Sequence, residues 1–309
     1  MADIYTNLSG TAQVDNSVIE AFSQQFIIAA AQEGVMDQFV TVKESIGAKS
    51  IEFTKYSQLA LATTALNERE ELTSEAMADS AIILTPAEYG NVVTKTTLAS
   101  LQSGGKVDAA AAKLVGLNMG RTLDKLAVLA GEAATNTLTP DGSAEASLEA
   151  DDIMSATFLN KLYNKLARAS VAPLADGMYV AVLHDDVIHD LRNSTGAGSW
   201  QDIAKYGSPE VVFKNEVGML GGFRIIRNNH CTVTADAGAL AVDTYRGLFL
   251  GFNAIGKAVS APEQMVITGP FDKLARFVHV GWKSCLQYKI VDSDAIYMGI
   301  TASSVGSNA

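Results

Sequence analysis

The stretch from Val107 to about Glu132 constrains this chain more than any other. Ala109 to Ala112, Leu114, Leu117, Leu123, Leu126 and Leu129 are strong helix formers. Asp108 suits the positive end of a helix that begins there. At 1.5 Å per residue, such a helix spans roughly 40 Å. Ordinary helices have three or four turns, so this one reads as a strut. Leu and Ala occur around much of its circumference, which predicts that more than one face is covered.

The segment before it has a different period. Phe39-Val40-Thr41-Val42 and Ser50-Ile51-Glu52-Phe53-Thr54 alternate as strands do, and Ala81 to Leu84 and Asn91 to Leu98 read as returning strands. Between them, residues 57–80 carry no core pattern. Leu59 to Leu66 is rich in small residues, and the acidic run Asn67 to Glu75 follows. Strand pairs around a long polar excursion predict an extended hairpin projecting from the body. Long loops inside compact chains are usually functional; the competing reading is a plain solvated loop.

Elsewhere the elements are shorter. Residues 1–16 read as an extended arm, and Val18, Ile19, Phe22, Phe26, Ala29 and Ala30 recur at helical spacing up to Gly34. Ile153, Phe158, Leu159, Leu162 and Leu166 mark an amphipathic helix. Met178 to Leu183 is continuously apolar and reads as a buried strand, followed by a short helix over 185–192. Strands are expected at 221–226, 247–250, 265–267, 277–280 and 295–298. The fold class is α+β with intermixed elements, and the length suits about two domains.

Composition bears on what the chain can bind. Charged residues make up 18% of the 309, against about 25% in ordinary soluble domains. Such a chain has a large core or hides its outside against partners. With 23 Lys+Arg against 34 Asp+Glu and a net charge of −11, it has little to grip phosphates with. The two cysteines, Cys231 and Cys285, form no CxxC, which excludes a zinc cage. They read as reduced thiols, one disulfide being conceivable. No basic segment followed by an apolar one opens the chain, and no apolar run approaches the ~18 residues of a membrane span. The expectation is a soluble, intracellular chain.

Templates for chemistry fail in turn. Gly104-Gly105-Lys106 lacks the Ser or Thr that a phosphate loop needs after its lysine, and reads as a turn into the long helix. His184-Asp185-Asp186-Val187-Ile188-His189 offers four potential metal ligands. Residues five apart on a helix point roughly 140° apart, however, so Asp185 or Asp186 is expected to cap a helix instead. Cys231 beside His230 raises an activated thiolate, with no acid identifiable to complete it. The glycine turn at 218–222 reads as backbone shaping. The acidic tract 68–79 lacks calcium-loop spacing. No catalytic residue, cofactor or metal is expected. A metal enzyme centred on His184 and His189 stands as a minor alternative.

The order of elements is arm, helix, projecting hairpin, very long helix and mixed α/β region. Four motifs accompany it: Asp176-Gly177-Met178-Tyr179-Val180-Ala181-Val182-Leu183-His184-Asp185; Ser199-Trp200-Gln201-Asp202-Ile203-Ala204-Lys205-Tyr206; Glu216-Val217-Gly218-Met219-Leu220-Gly221-Gly222-Phe223-Arg224-Ile225; and Val280-Gly281-Trp282-Lys283. Together they resemble the major capsid proteins of tailed bacteriophages with the Hong Kong 97-type fold, and more closely the podovirus-type coat protein family. The likeness covers nearly the whole chain. It implies an N-terminal arm over 1–16 and a peripheral domain over 17–174. That domain would carry an E-loop at about 45–98 and a spine helix at about 107–132. An axial domain would follow over 175–260, with C-terminal strands over 261–309 returning to the peripheral domain.

The resemblance further implies self-assembly in hexamers and pentamers into an icosahedral shell around double-stranded DNA, contacted weakly and non-specifically. Scaffolding, portal and possibly decoration proteins are the implied partners, with no membrane. The location would be the virion, after assembly in the host cytoplasm. An encapsulin-type bacterial nanocompartment is the alternative. Charge clustering at the hairpin tip predicts that Glu68, Arg69, Glu70 and Glu71 pair with basic residues of a neighbour, with Lys113, Arg121 and Lys125 as candidate partners.

Overall fold

The computed structural model describes residues 34–194 and 216–305, apart from residues 58, 64, 67, 70, 72, 73, 105, 175 and 275. The expected arm, the helix from Val18 and the Ser199–Tyr206 motif lie outside the described residues.

A 3-10 turn at Met36–Gln38 leads into β1 (Thr41–Glu44). β2 (Ile51–Tyr56) and β3 (Asp79–Leu84) flank the excursion, and β4 (Ala87–Thr96) runs into the short helix α1 (Thr97–Gln102). The strand read through Leu98 thus ends earlier. The Thr96 side chain caps α1 by accepting from Ala99 N at 3.2 Å. The long helix, α2, spans Lys106–Glu132 as its composition predicts. The remaining elements are β5 (Thr137–Leu138), α3 (Ala156–Arg168), β6 (Tyr179–Leu183), α4 (Asp185–Asn193), β7 (Glu216–Leu220), β8 (Phe223–Arg227), β9 (Val233–Thr234), β10 (Thr244–Leu250), β11 (Ile255–Phe271), β12 (Phe277–Ile290) and β13 (Ile296–Thr301). The apolar runs at 265–267 and 277–280 lie within the two long strands β11 and β12.

Among the described residues the strands form three sheets. One has the order β1-β11-β12-β4, a second is the pair β2-β3, and the third runs β5-β13-β10-β6-β8-β7 with β9 on β10. The outer strands flanking the hairpin, β1 and β4, therefore do not pair with each other; β11 and β12 come between them. β12 pairs with β4, whereas β13 pairs with β10 and β5 in the third sheet.

The strut joins the sheets. Residues Ala112, Val115, Met119, Leu123, Ala127 and Val128 form one buried stripe along α2. The stripe packs on Val280, Trp282 and Leu286 of β12 and on Val180, Val182, Ile226, Leu248 and Leu250 of the third sheet. The opposite face of that sheet buries Tyr179, Ala181, Leu183, Ile225 and Phe249 under Phe158, Leu159 and Leu162 of α3 and Leu191 of α4. With both faces covered, β6 is buried throughout, which explains its unbroken apolar sequence. Over Val115–Val128 more than one face of α2 is covered, Arg121 being the exposed residue there, whereas Leu114 and Leu129, just outside that stretch, remain exposed.

Candidate assembly interface

The projecting hairpin is built in two parts. At its root, Ile51, Phe53 and Leu84 pack with Ala258 and Val291. Lys55 Nζ sits 2.6 Å from Asp292 Oδ1 and 3.3 Å from Asp294 Oδ2. These carboxylates hold its ammonium above the ordinary lysine value, the Asp292 hydrogen bond contributing most. Lys43 Nζ donates to Glu52 O at 2.6 Å. Beyond Tyr56 every described residue as far as Ala78 is exposed. Ser57 N still donates to Ala78 O at 2.9 Å, but Leu61 and Leu66 are 87% and 75% exposed, and Leu59 and Met77 are exposed too. Several large apolar side chains exposed on one excursion mark an interaction surface.

The charged candidates fall into separate places. Glu68, Arg69 and Glu71 are exposed on the excursion, and Glu70 lies outside the described residues. Lys113 and Arg121 are exposed on α2. Lys125 is engaged within its own chain, donating to His230 O at 2.8 Å and to Thr232 Oγ1 at 2.7 Å.

The residues considered for chemistry have structural work. The expected cap by Asp185 or Asp186 is replaced by His184, whose Nδ1 accepts from Asp186 N at 3.3 Å. His189 contacts Asn193 one turn on, its Nε2 3.0 Å from Asn193 Nδ2. Among the described residues, no three His, Cys, Asp or Glu side chains are grouped to hold a metal ion. Burial pushes the Cys231 thiol well above its ordinary range, with Glu132 and Asp124 adding to the effect. That is the reverse of activation. Both cysteines are free. Gly221 and Gly222, at φ +58° and +82°, form the two-residue turn between β7 and β8.

Sequence reasoning missed Asp124. It is the acid beside His230–Cys231, about a hundred residues away. Its Oδ1 accepts from Val35 N and Met36 N, both at 2.8 Å. Its Oδ2 accepts from Asn228 Nδ2 at 2.6 Å and lies 2.8 Å from His230 Nδ1. The signal was a carboxylate at a position where the helical period puts the apolar stripe. Asn118 plays a similar part nearer the start of α2, accepting from Trp282 Nε1 at 3.0 Å and Asn91 Nδ2 at 3.2 Å.

A long helix packed between sheets and a hairpin with apolar side chains left uncovered are the features the family comparison must account for. The sequence profile of the phage capsid protein family matches residues 11–269.

This chain belongs to the phage capsid protein family.

Its fold is similar to that of the Ralstonia phage GP4 capsid, at a TM-score of 0.73 and 16% identity, covering 88% of this chain and 92% of that one. The capsid of cyanophage Pam1 follows at 0.67 and 13%, covering 89% and 93%. A virus-like particle from Pyrococcus furiosus shares the fold at 0.57 and 11%, covering 91% and 98%. Among curated proteins, none matches in sequence. The fold of this phage capsid protein is the Hong Kong 97 type, with α2 as its longest helix and β2–β3 as its projecting hairpin.

Proposed function

We propose that this phage capsid protein is the repeating shell subunit of a tailed phage, assembling as hexamers and pentamers into an icosahedral container for double-stranded DNA. The observation that carries the proposal is the hairpin: rooted in its own core at Phe53 and Leu84, and apolar and exposed beyond Tyr56. Reaching elements of this kind bury against neighbours area that a compact monomer cannot, and heterologous contacts close by symmetry. In this reading residues at about 45–98 serve as the E-loop and 107–132 as the spine helix. Residues 1–16 are the arm, 17–174 the peripheral domain and 175–260 the axial domain. The net charge of −11 suits a container whose contents must enter and leave.

Scaffolding, portal and decoration proteins are the partners this role calls for, and assembly takes place in the host cytoplasm. Glu68, Arg69, Glu70 and Glu71 of one copy meet Lys113 and Arg121 of the next. Electron microscopy of the purified chain, alone and with a scaffold, tests the role. Closed particles are expected, and a chain that stays monomeric under all assembly conditions overturns it. The second reading is an encapsulin-type bacterial nanocompartment. Purified particles decide between the two: a genome supports the phage shell, and a bound cargo enzyme without nucleic acid supports the compartment.

A further inference from the structure

We propose that the solvent face of α3 and α4 is the surface on which the shell wall touches the phosphate backbone of the enclosed duplex DNA. The proposal rests on the shell reading above and names the place of a contact that the net charge alone argues against. The chain carries 34 Asp+Glu against 23 Lys+Arg, yet this face is free of exposed carboxylates. α3 and α4 together cover one face of the third sheet. The exposed positions of both helices hold no Asp or Glu. They hold Lys161, Lys165, Arg168 and Arg192, with Asn160 and Asn164 beside the lysines. The acids of α4 are turned to other work. Asp190 is buried, Asp185 lies 3.2 Å from Arg227, and Asp186 accepts from the Tyr245 hydroxyl at 3.0 Å.

The helix dipole does not account for this pattern. Cations near a helix C-terminus answer its negative end, and Lys165 and Arg168 lie in the last turn of α3. The same rule favours carboxylates in the first turn, and α3 has none there. Lys161, in mid-helix, has no helix end to answer. Lys161, Lys165 and Arg168 stand at i, i+4 and i+7, on one face, about 6 Å and then about 5 Å apart along the axis. The Lys165 and Arg168 side chains make no ion pair among the described residues. Lys161 Nζ donates to Pro140 O at 2.8 Å, which leaves its charge unbalanced. A row of unbalanced cations beside amide donors fits a run of phosphates, which accept from both. An acidic protein partner would need large anchors in pockets as well. On these two helices Tyr163, 38% exposed, is the one large apolar side chain outside the core. Repulsion from the rest of a chain with a net charge of −11 keeps the contact weak.

Two measurements test this in the full chain. The first is binding of the unassembled chain to a fluorescent DNA duplex across a low-salt series. The unaltered chain is expected to bind with a log–log salt slope of about −3 to −4, the value for four neutralised phosphates. Lys165→Gln with Arg168→Gln is expected to keep the circular-dichroism spectrum and melting temperature. It should bind about tenfold more weakly and reduce the slope by about 2. Lys49→Gln with Lys283→Gln removes the same charge from exposed positions elsewhere, and is expected to bind as the unaltered chain does. Equal weakening by both pairs, or no binding by the unaltered chain at low salt, overturns the proposal. The second measurement is acetylation of Lys165 by a water-soluble succinimidyl ester in assembled particles, read by peptide mass spectrometry. Labelling is expected to be several-fold lower in DNA-filled particles than in emptied ones, and equal labelling overturns the proposal. A chain that binds DNA as expected but forms no particles overturns the shell reading and not the face. Particles whose chain binds no DNA overturn the face and not the shell.

Discussion

Two buried carboxylates on helices accept from backbone N–H groups of distant segments. Asp124 on α2 takes Val35 N and Met36 N. Asp190 on α4 takes Ser304 N at 3.0 Å, together with the Ser304 hydroxyl. Each is a long-range bond from a helix to a distant segment of the chain. Asp124→Ala leaves Val35 N, Met36 N and Asn228 Nδ2 buried without this acceptor and takes the partner of the half-buried His230. The expected cost is about 3–5 kcal/mol, the range for breaking a buried charged network, read as a lower denaturant midpoint. Asp294→Ala provides the contrast. Asp294 is mostly exposed, and Lys55 keeps Asp292, so a change within about 0.5 kcal/mol is expected. Equal losses would show that Asp124 carries no special weight. At this scale the sequence is least legible. Four donors from residues 35, 36, 228 and 230 converge on residue 124 only through tertiary packing. A charge on an apolar stripe signals that a partner exists but does not name it.

Elements were more legible, because their causes are local. The α2 and β6 segments announce themselves by composition and by apolar continuity. The errors fell where a few atoms override a pattern: Thr96 capping a helix inside a strand-like run, and His184 taking the cap from the aspartates that follow it. The glycine turn was read correctly as backbone shaping, and its two positive φ values give the reason. Gly222→Ala meets two costs, a left-handed φ of +82° and a Cβ only 2.4 Å from Tyr163 Cε2. Gly142 has the same φ with open space around it. Gly142→Ala should therefore cost about 1–2 kcal/mol, and Gly222→Ala measurably more, by chemical denaturation. Equal effects would remove the Tyr163 contact from the argument. The junction of β4, α1 and α2 gives a pH prediction. Burial pushes the Asp108 carboxyl up, but hydrogen bonds from Lys95 and Ser100 outweigh it and hold it below its ordinary 3.8. A lowered folded-state value means stability that is complete above 3.8 and is lost as pH falls through the lower value. Asp108→Asn should therefore flatten the acid limb of a stability–pH profile and leave its slope at neutral pH unchanged. An unaltered acid limb would count against this junction.

For the whole molecule, chain order was legible where sheet membership was not. Nothing local tells β1 and β4 that β11 and β12 will come between them, or sends β12 to one sheet and β13 to another. These pairings join residues far apart in sequence and are decided by which apolar faces α2 covers. The same division of labour says which part of the chain serves the monomer and which serves the shell. Ser57 N and Ala78 O are bonded, so the hairpin can be closed directly after β2 by a two-residue Asn-Gly turn replacing residues 58–77. The core at Ile51, Phe53 and Leu84 is untouched by that deletion. Melting temperature and circular dichroism of the shortened chain should therefore match those of the parent, while assembly into closed particles should be lost. A milder variant separates shape from charge. Glu68→Lys with Glu71→Lys, leaving the apolar residues in place, should lower particle yield most at low salt. Adding Lys113→Glu and Arg121→Glu in the same chain should restore part of that yield. Each exposed pair contributes only about 0–1 kcal/mol, yet the pairs repeat around every copy, so the assembly yield amplifies what a monomer's stability would scarcely register. If the shortened hairpin assembles as well as the parent, the shell is held by other surfaces.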